Sequence, residues 1–166
     1  LVIFSDMDGT LLDHQSYQFD AAKPWLKKLK VLGIPVILNT SKTRAEVEKW
    51  CDENNSDYPF VVENGAAILI PKSQSKIQPV GSISSAQYWL KSFVKPRAHW
   101  RSLIDSVAEE YAGQLATFSQ LGIEGISKLT GLSSEDAELA SQRQYGEPVA
   151  WLTEQSPERF IQQLQQ

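Results

Sequence analysis

The sequence predicts an α/β protein, a Rossmann-like parallel sheet core joined to a smaller α/β unit. Three observations lead there. Short apolar runs alternate with amphipathic stretches early in the chain, an acidic string closes the first run, and a Ser-, Gln- and Pro-rich segment precedes a second set of helical patterns. The chain has 166 residues, 42% hydrophobic and 22% charged, so it carries enough apolar material for a packed core.

Leu1-Val2-Ile3-Phe4 is a continuous apolar run stopping at Ser5-Asp6, as a strand buried on both faces does. From Asp20, Trp25, Leu26, Leu29 and Leu32 recur at helical spacing, with lysines between them, Pro24 in the first turn and Gly33 as the stop. Ile34 to Leu38 reads as a second strand, Thr43 to Cys51 as a second helix, and Phe60-Val61-Val62 as a third strand ended by Asn64-Gly65. Ala66 to Pro71 is a further short strand, and Pro71 to Ser85 a linker or exposed turns. Helical patterns follow at Ser85 to Val94, Trp100 to Tyr111, Ile123 to Leu129, Ser134 to Gln142 and Pro157 to Leu164, with strands at Leu115 to Phe118 and Pro148 to Leu152. The expected division is residues 1–80 for the core and 81–166 for the second unit.

Sixteen Lys and Arg against 20 Asp and Glu leave a net charge of −4, so no basic field exists to gather nucleic acid or an anionic membrane surface. Neither is expected as a partner. Cys51 is the lone cysteine, which suits a reducing compartment, and the expected localisation is cytoplasmic. No apolar run approaches the ~20 residues of a membrane span.

The chemistry concentrates in Asp6-Met7-Asp8-Gly9-Thr10-Leu11-Leu12 at the C-terminal end of the first strand, the edge where open α/β sheets bind ligands. Two carboxylates two residues apart in extended chain point the same way, repel, and call for a hard cation such as Mg²⁺ between them. Gly9 permits a sharp turn whose free amides can hold phosphate oxygens. With repulsion relieved, Asp6 can attack phosphorus. The competing reading is two solvated acids in a strand-end turn. His14 and His99 share no metal-ligand spacing and read as surface or loop residues, and Cys51 as a packed one.

The string Asp6 to Leu12 resembles the nucleophile motif of the haloacid dehalogenase superfamily of phosphohydrolases. The resemblance implies that Asp6 forms an aspartyl-phosphate, that Asp8 protonates the leaving group and later activates water, and that Mg²⁺ binds at Asp6 and Asp8. Thr40 falls where the superfamily keeps a hydroxyl for the phosphoryl group; a helix-capping role is the alternative.

Three further strings, Thr40-Ser41-Lys42-Thr43-Arg44-Ala45-Glu46, Glu63-Asn64-Gly65-Ala66-Ala67-Ile68 and Arg143-Gln144-Tyr145-Gly146-Glu147-Pro148, are together similar to the mannosyl-3-phosphoglycerate phosphatase family, whose α/β cap is inserted after the third core strand. That resemblance implies hydrolysis of a glycosyl-3-phosphoglycerate, a small phosphorylated sugar acid, to the glycosylglycerate. Ser41, Lys42, Thr43 and Arg44 would then lie beside the substrate's acid groups. Arg44 and Glu48, four apart, can instead pair on a helix. Glu63, Asn64 and Gly65 would meet sugar hydroxyls, or merely close a turn. Arg143 would meet the substrate carboxylate, or favour a helix end. The superfamily's phosphate-neutralising Lys and late acidic metal motif are not recognisable here, so an incomplete core is expected, and the 166-residue chain alone is expected to be inactive. Two other readings stay open: a sugar phosphatase of different specificity, and a non-catalytic phospho-binding fragment.

Overall fold

The computed structural model describes residues 1–13 and 19–165, so His14 lies outside the described residues. Two compact units form, Leu1–Val94 and Lys95–Gln166.

In the first unit, β1 (Ile3–Ser5), α1 (Lys23–Val31), β2 (Val36–Asn39), α2 (Arg44–Asn54) and β3 (Phe60–Val62) follow the expected alternation. β1 pairs with β2 and β2 with β3, both in parallel, with Ile3 opposite Val36 and Leu38 opposite Phe60. Pro24 stands in the first turn of α1, and Gly33 follows its end at φ 66°. This parallel core brings the C-terminal ends of three neighbouring strands to one edge.

Strand β4 (Ala67–Pro71) runs antiparallel to β3, because the four residues Glu63 to Ala66 leave no room for a crossover. A parallel return needs about a dozen residues. The helix expected over Ser85 to Val94 is a β-hairpin instead, β5 (Ile83–Ser85) and β6 (Tyr88–Ser92). Tyr88 and Leu90 are buried on one side while Trp89 and Lys91 stand on the other, the two-residue alternation of a strand. Ala86 turns the hairpin at φ 47°, a conformation that more often advertises itself through Gly or Asn. Because β6 also pairs with β4, the sheet order is β1-β2-β3-β4-β6-β5, and the first unit extends to Val94 rather than to residue 80. Met7, Val47, Phe60, Val62 and Leu69 fill the core, and Phe60 meets the Tyr88 ring edge-on at 5.4 Å. Such aromatic pairs add about 1 kcal/mol beyond area burial. Cys51 is buried as expected, and desolvation pushes its thiol up to about 12.

The second unit contains α3 (Arg97–Ala108), a 3₁₀ turn at Glu109–Tyr111, β7 (Leu115–Thr117), α4 (Phe118–Thr130), α5 (Ser134–Ser141), β8 (Val149–Trp151) and α6 (Glu158–Leu164). β7 and β8 form an antiparallel pair, with Ala116 opposite Ala150. Ile104, Tyr111, Leu115 and Phe160 make the core, flanked by Val107, Val149, Trp151 and Leu164. Gly122, at φ 61° and ψ −176°, breaks α4 after its first turn. His99 is exposed on α3. No helix among the described residues is long and apolar enough to cross a membrane.

A buried ion pair joins distant parts of this unit. The Glu147 carboxylate, with none of its side chain exposed, accepts hydrogen bonds from Arg97 Nε, from the Ser119 backbone N–H at 2.8 Å and from the Ser119 hydroxyl at 3.0 Å. Burial alone would raise the Glu147 carboxyl, but Arg97 and the two Ser119 donors overcome it and hold the group below its usual 4.5. A depressed folded-state value means that the stabilisation is complete above 4.5 and disappears as pH falls through the folded value. Glu147→Gln is therefore expected to lower Tm at neutral pH and to flatten the acid limb of the Tm–pH curve. Thermal melts of the two proteins across that range check this, and parallel acid limbs would count against the assignment.

Candidate active site

Three strand ends build the site. After β1 the chain leaves the extended conformation at once: the Met7 carbonyl accepts hydrogen bonds from the N–H groups of Thr10 at 3.3 Å, Leu11 at 3.0 Å and Leu12 at 2.8 Å. Met7 is buried beneath this turn, and Gly9 enters it at φ 69°. The extended geometry expected to aim Asp6 and Asp8 alike therefore gives way to a turn that places them in different surroundings. Asp6 is exposed, and its Oδ1 accepts from the Met7 N–H at 2.7 Å, which fixes the carboxylate. Asp8 turns inward, with Oδ1 buried and 3.1 Å from Lys42 Nζ. That contact is an ion pair.

The loop after β2 is organised by a capping box. The Glu46 N–H donates to Thr43 Oγ1 at 3.2 Å while the Thr43 N–H donates to Glu46 Oε2 at 2.7 Å, so two orphan donors of α2 are satisfied. The capping alternative for Thr40 thus falls away, because Thr43 holds that position. Thr43, expected at the substrate, is fully buried by this duty and serves the scaffold. Thr43→Ala is expected to cost about 1 kcal/mol, to be read from denaturant melts as a lower midpoint with an unchanged slope.

Thr40 is itself buried; its Oγ1 accepts from the Lys42 N–H at 3.2 Å, which leaves the hydroxyl proton available to donate. Glu46 joins the expected site residues, and its sequence signal is the capping-box string Thr43-x-x-Glu46. Its second oxygen, Oε1, lies 3.4 Å from Lys42 Nζ. Glu46 thus ties the start of α2 to the lysine that meets Asp8. Burial alone would lower the Lys42 ammonium, yet Glu46 and Asp8 together raise it above its usual 10.5.

After β3, Glu63, Asn64 and Gly65 adopt left-handed φ angles of 49°, 60° and 89°. Three successive residues in this region cost strain at the two that carry side chains. The turn is held because the Glu63 N–H donates to the Lys42 carbonyl and the Asn64 N–H to the Thr40 carbonyl, each at 3.0 Å. The loops after β2 and β3 are stitched together in this way. Glu63 is buried, whereas Asn64 and Gly65 are exposed.

Phe4, Ser5, Asp6, Asn39, Thr40, Ser41, Asn64 and Gly65 line one open cleft of about 480 Å³. The structure thus brings Asp6, Thr40, Ser41, Asn64 and Gly65 together, with Asp8 and Lys42 paired beside them. Arg44 is not among the cleft residues. Its Nε bonds Glu48 Oε1 at 2.9 Å, its Nη1 donates to Ser85 Oγ at 2.9 Å, and its guanidinium lies 5.2 Å from the Tyr88 ring centre. The helical pairing with Glu48 is formed, and Arg44 anchors α2 to the β5–β6 hairpin. Arg143 belongs to the second unit, just beyond α5.

Residues 3–92 match the model of the haloacid dehalogenase-like hydrolase family. The chain is 40% identical over 146 residues to a glucosyl-3-phosphoglycerate/mannosyl-3-phosphoglycerate phosphatase of Methanococcoides burtonii, covering 88% of this chain and 54% of that protein. It is 35% identical over 152 residues to a mannosyl-3-phosphoglycerate phosphatase of Pyrococcus horikoshii, covering 89% of this chain and 59% of the relative. The chain therefore spans a little over half the length of these curated relatives. Among solved structures, a Bacteroides thetaiotaomicron phosphatase of the same superfamily aligns with 98% of this chain and 59% of its own, at a TM-score of 0.59 and 17% identity, which supports the fold. Motif, strand-end geometry and family match agree: this chain belongs to the haloacid dehalogenase-like hydrolases.

Proposed function

We propose that the whole protein is a phosphoric monoester hydrolase acting on a glycosyl-3-phosphoglycerate, with Asp6 as nucleophile. The observation that carries this reading is the exposed Asp6 carboxylate at the end of β1, opening onto the cleft that Thr40, Ser41, Asn64 and Gly65 share. The named activities of the relatives supply the substrate class.

Asp6 attacks phosphorus and forms an aspartyl-phosphate. The Thr40 hydroxyl, whose oxygen already accepts from Lys42, donates its proton to a phosphoryl oxygen. Asp8 delivers a proton to the leaving glycerate oxygen and then takes one from water, so that inorganic phosphate is released and Asp6 restored. Lys42, held by Glu46, keeps the Asp8 side chain in place for both transfers. Asn64 is the sugar-facing residue that the exposed turn after β3 offers, and a guanidinium such as that of Arg143 suits a carboxylate as a bidentate donor.

The group implied by the family is Mg²⁺. Among the described residues no three His, Cys, Asp or Glu side chains gather as a cage. The oxygens at hand, the Asp6 carboxylate and the Asp8 backbone carbonyl, are hard donors that suit Mg²⁺ and would hold it in part. When bound, the ion would reduce repulsion between Asp6 and the phosphate.

The test is phosphate release by the whole protein from glucosyl- and mannosyl-3-phosphoglycerate, 3-phosphoglycerate, and hexose phosphates lacking a carboxylate. The reading predicts the highest kcat/KM for a glycosyl-3-phosphoglycerate. Equal or better turnover of plain hexose phosphates would transfer the chain to sugar phosphatases of other specificity. Binding of these esters without release would favour a phospho-binding module.

A further inference from the structure

The cleft occupies the C-terminal ends of the parallel strands, and the first unit holds a second hollow at their other end. Right-handed crossovers through strands in the order β1-β2-β3 carry α1 and α2 over the same face of the sheet. Where these helices meet the start of β2 lies a cavity of about 280 Å³, with Leu26, Ile34, Val36, Trp50 and Tyr58 among its walls. Phe19, which also lines it, meets the Trp50 ring edge-on at 5.1 Å. Val36 opens β2, and Asn39, which lines the cleft, closes it. Three steps of extended chain therefore set the two sites about 10 Å apart.

The charged residues of this lining are all of one sign. Lys23, Lys27 and Lys30 stand at i, i+4 and i+7 of α1, one stripe of the helix, and no Asp or Glu joins them among the described residues. Lys23 pairs with Asp20 at 2.6 Å, and Lys30 Nζ donates to the Asn55 carbonyl at 2.7 Å. Lys27 has no such partner among the described residues. In a chain of net charge −4, a cationic wall beside an apolar hollow fits an anion with an apolar body, because lysine stems cover apolar surface while their ammonium groups meet the charge.

We propose that this cavity binds a small aryl carboxylate, with the ring between Leu26, Ile34 and Trp50 and the carboxylate at Lys27. An apolar cavity of about 150 Å³ takes up benzene, so the volume here admits a ring and a short acid chain. A sugar would need hydrogen bonds along its edges, which Leu26, Ile34 and Val36 do not supply. The ligand is therefore of another class than that of the cleft, and the two bind independently.

The test uses the whole protein and three probes: 3-phenylpropionate, its neutral analogue 3-phenylpropanol, and acetate, which lacks the ring. Binding is followed through the indole N–H resonance of Trp50, assigned with Trp50→Phe, and affinities are taken from the titrations. Phenylpropionate is expected to shift that resonance saturably, about tenfold more tightly than the alcohol, while acetate leaves it in place. Lys27→Met, at an exposed helix position, should melt like the wild type and weaken phenylpropionate at least about threefold, whereas Lys27→Arg should keep the affinity. Saturating inorganic phosphate should leave the affinity unchanged. A Trp50 resonance that does not respond, equal affinity for acid and alcohol, an undiminished affinity in folded Lys27→Met, or competition by phosphate would each overturn the proposal.

Discussion

Asp6→Asn is expected to abolish phosphate release, by about 10⁴- to 10⁶-fold, while the fold and its melting temperature change little. The amide is nearly isosteric with the carboxylate and can keep accepting the Met7 N–H, so the turn after β1 loses no local support. What it lacks is the anionic oxygen that makes the bond to phosphorus. A variant with matched circular dichroism and melting, assayed on the glycosyl ester, separates these effects. Substantial activity in such a variant would move the nucleophile elsewhere.

Asp8→Asn is expected to slow turnover by about 10²- to 10⁴-fold, with a loss that depends on the leaving group. A glycerate alkoxide needs a proton to depart and an aryl oxide hardly does, so the first step should be spared with aryl phosphates and impaired with the sugar ester. Hydrolysis of the intermediate should be slow with both, because the same side chain activates water. Rapid-quench kinetics resolve the two steps, and equal first-step losses for the two substrate classes would remove the acid role from Asp8. The substitution also removes the charge of one of the two carboxylates, Asp8 and Glu46, that raise the Lys42 ammonium, so the raised Lys42 value should fall back.

Much of this site could be read from the sequence because its information is local. The acidic string, the hydroxyl after the second apolar run and the Asn64-Gly65 turn each follow a short strand, and a parallel alternation carries such ends to one edge. Thr43 and Arg44 each carry a second reading in the sequence, a helix cap and a helical ion pair, and the structure forms both. A Thr three residues before Glu is as much a capping signal as a binding one, and the pull of Tyr88 and Ser85 on Arg44 depends on a hairpin read as helix. That misreading has a definite origin in Ala86, whose left-handed turn is marked by neither Gly nor Asn. The Arg97–Glu147 pair could not be seen in sequence at all. Fifty residues separate the two, and nothing periodic links them.

Chemical trapping at Asp6 is the most direct test of the central claim. The whole protein is quenched during turnover of its phosphate ester, treated with borohydride to reduce any acyl phosphate, and mapped by peptide mass spectrometry. Covalent catalysis through Asp6 predicts that the peptide spanning Leu1 to Asp13 carries homoserine in place of Asp6, only when substrate is present. A protein that turns over fully under these conditions with Asp6 intact, or with the reduced residue at another carboxylate, would contradict it.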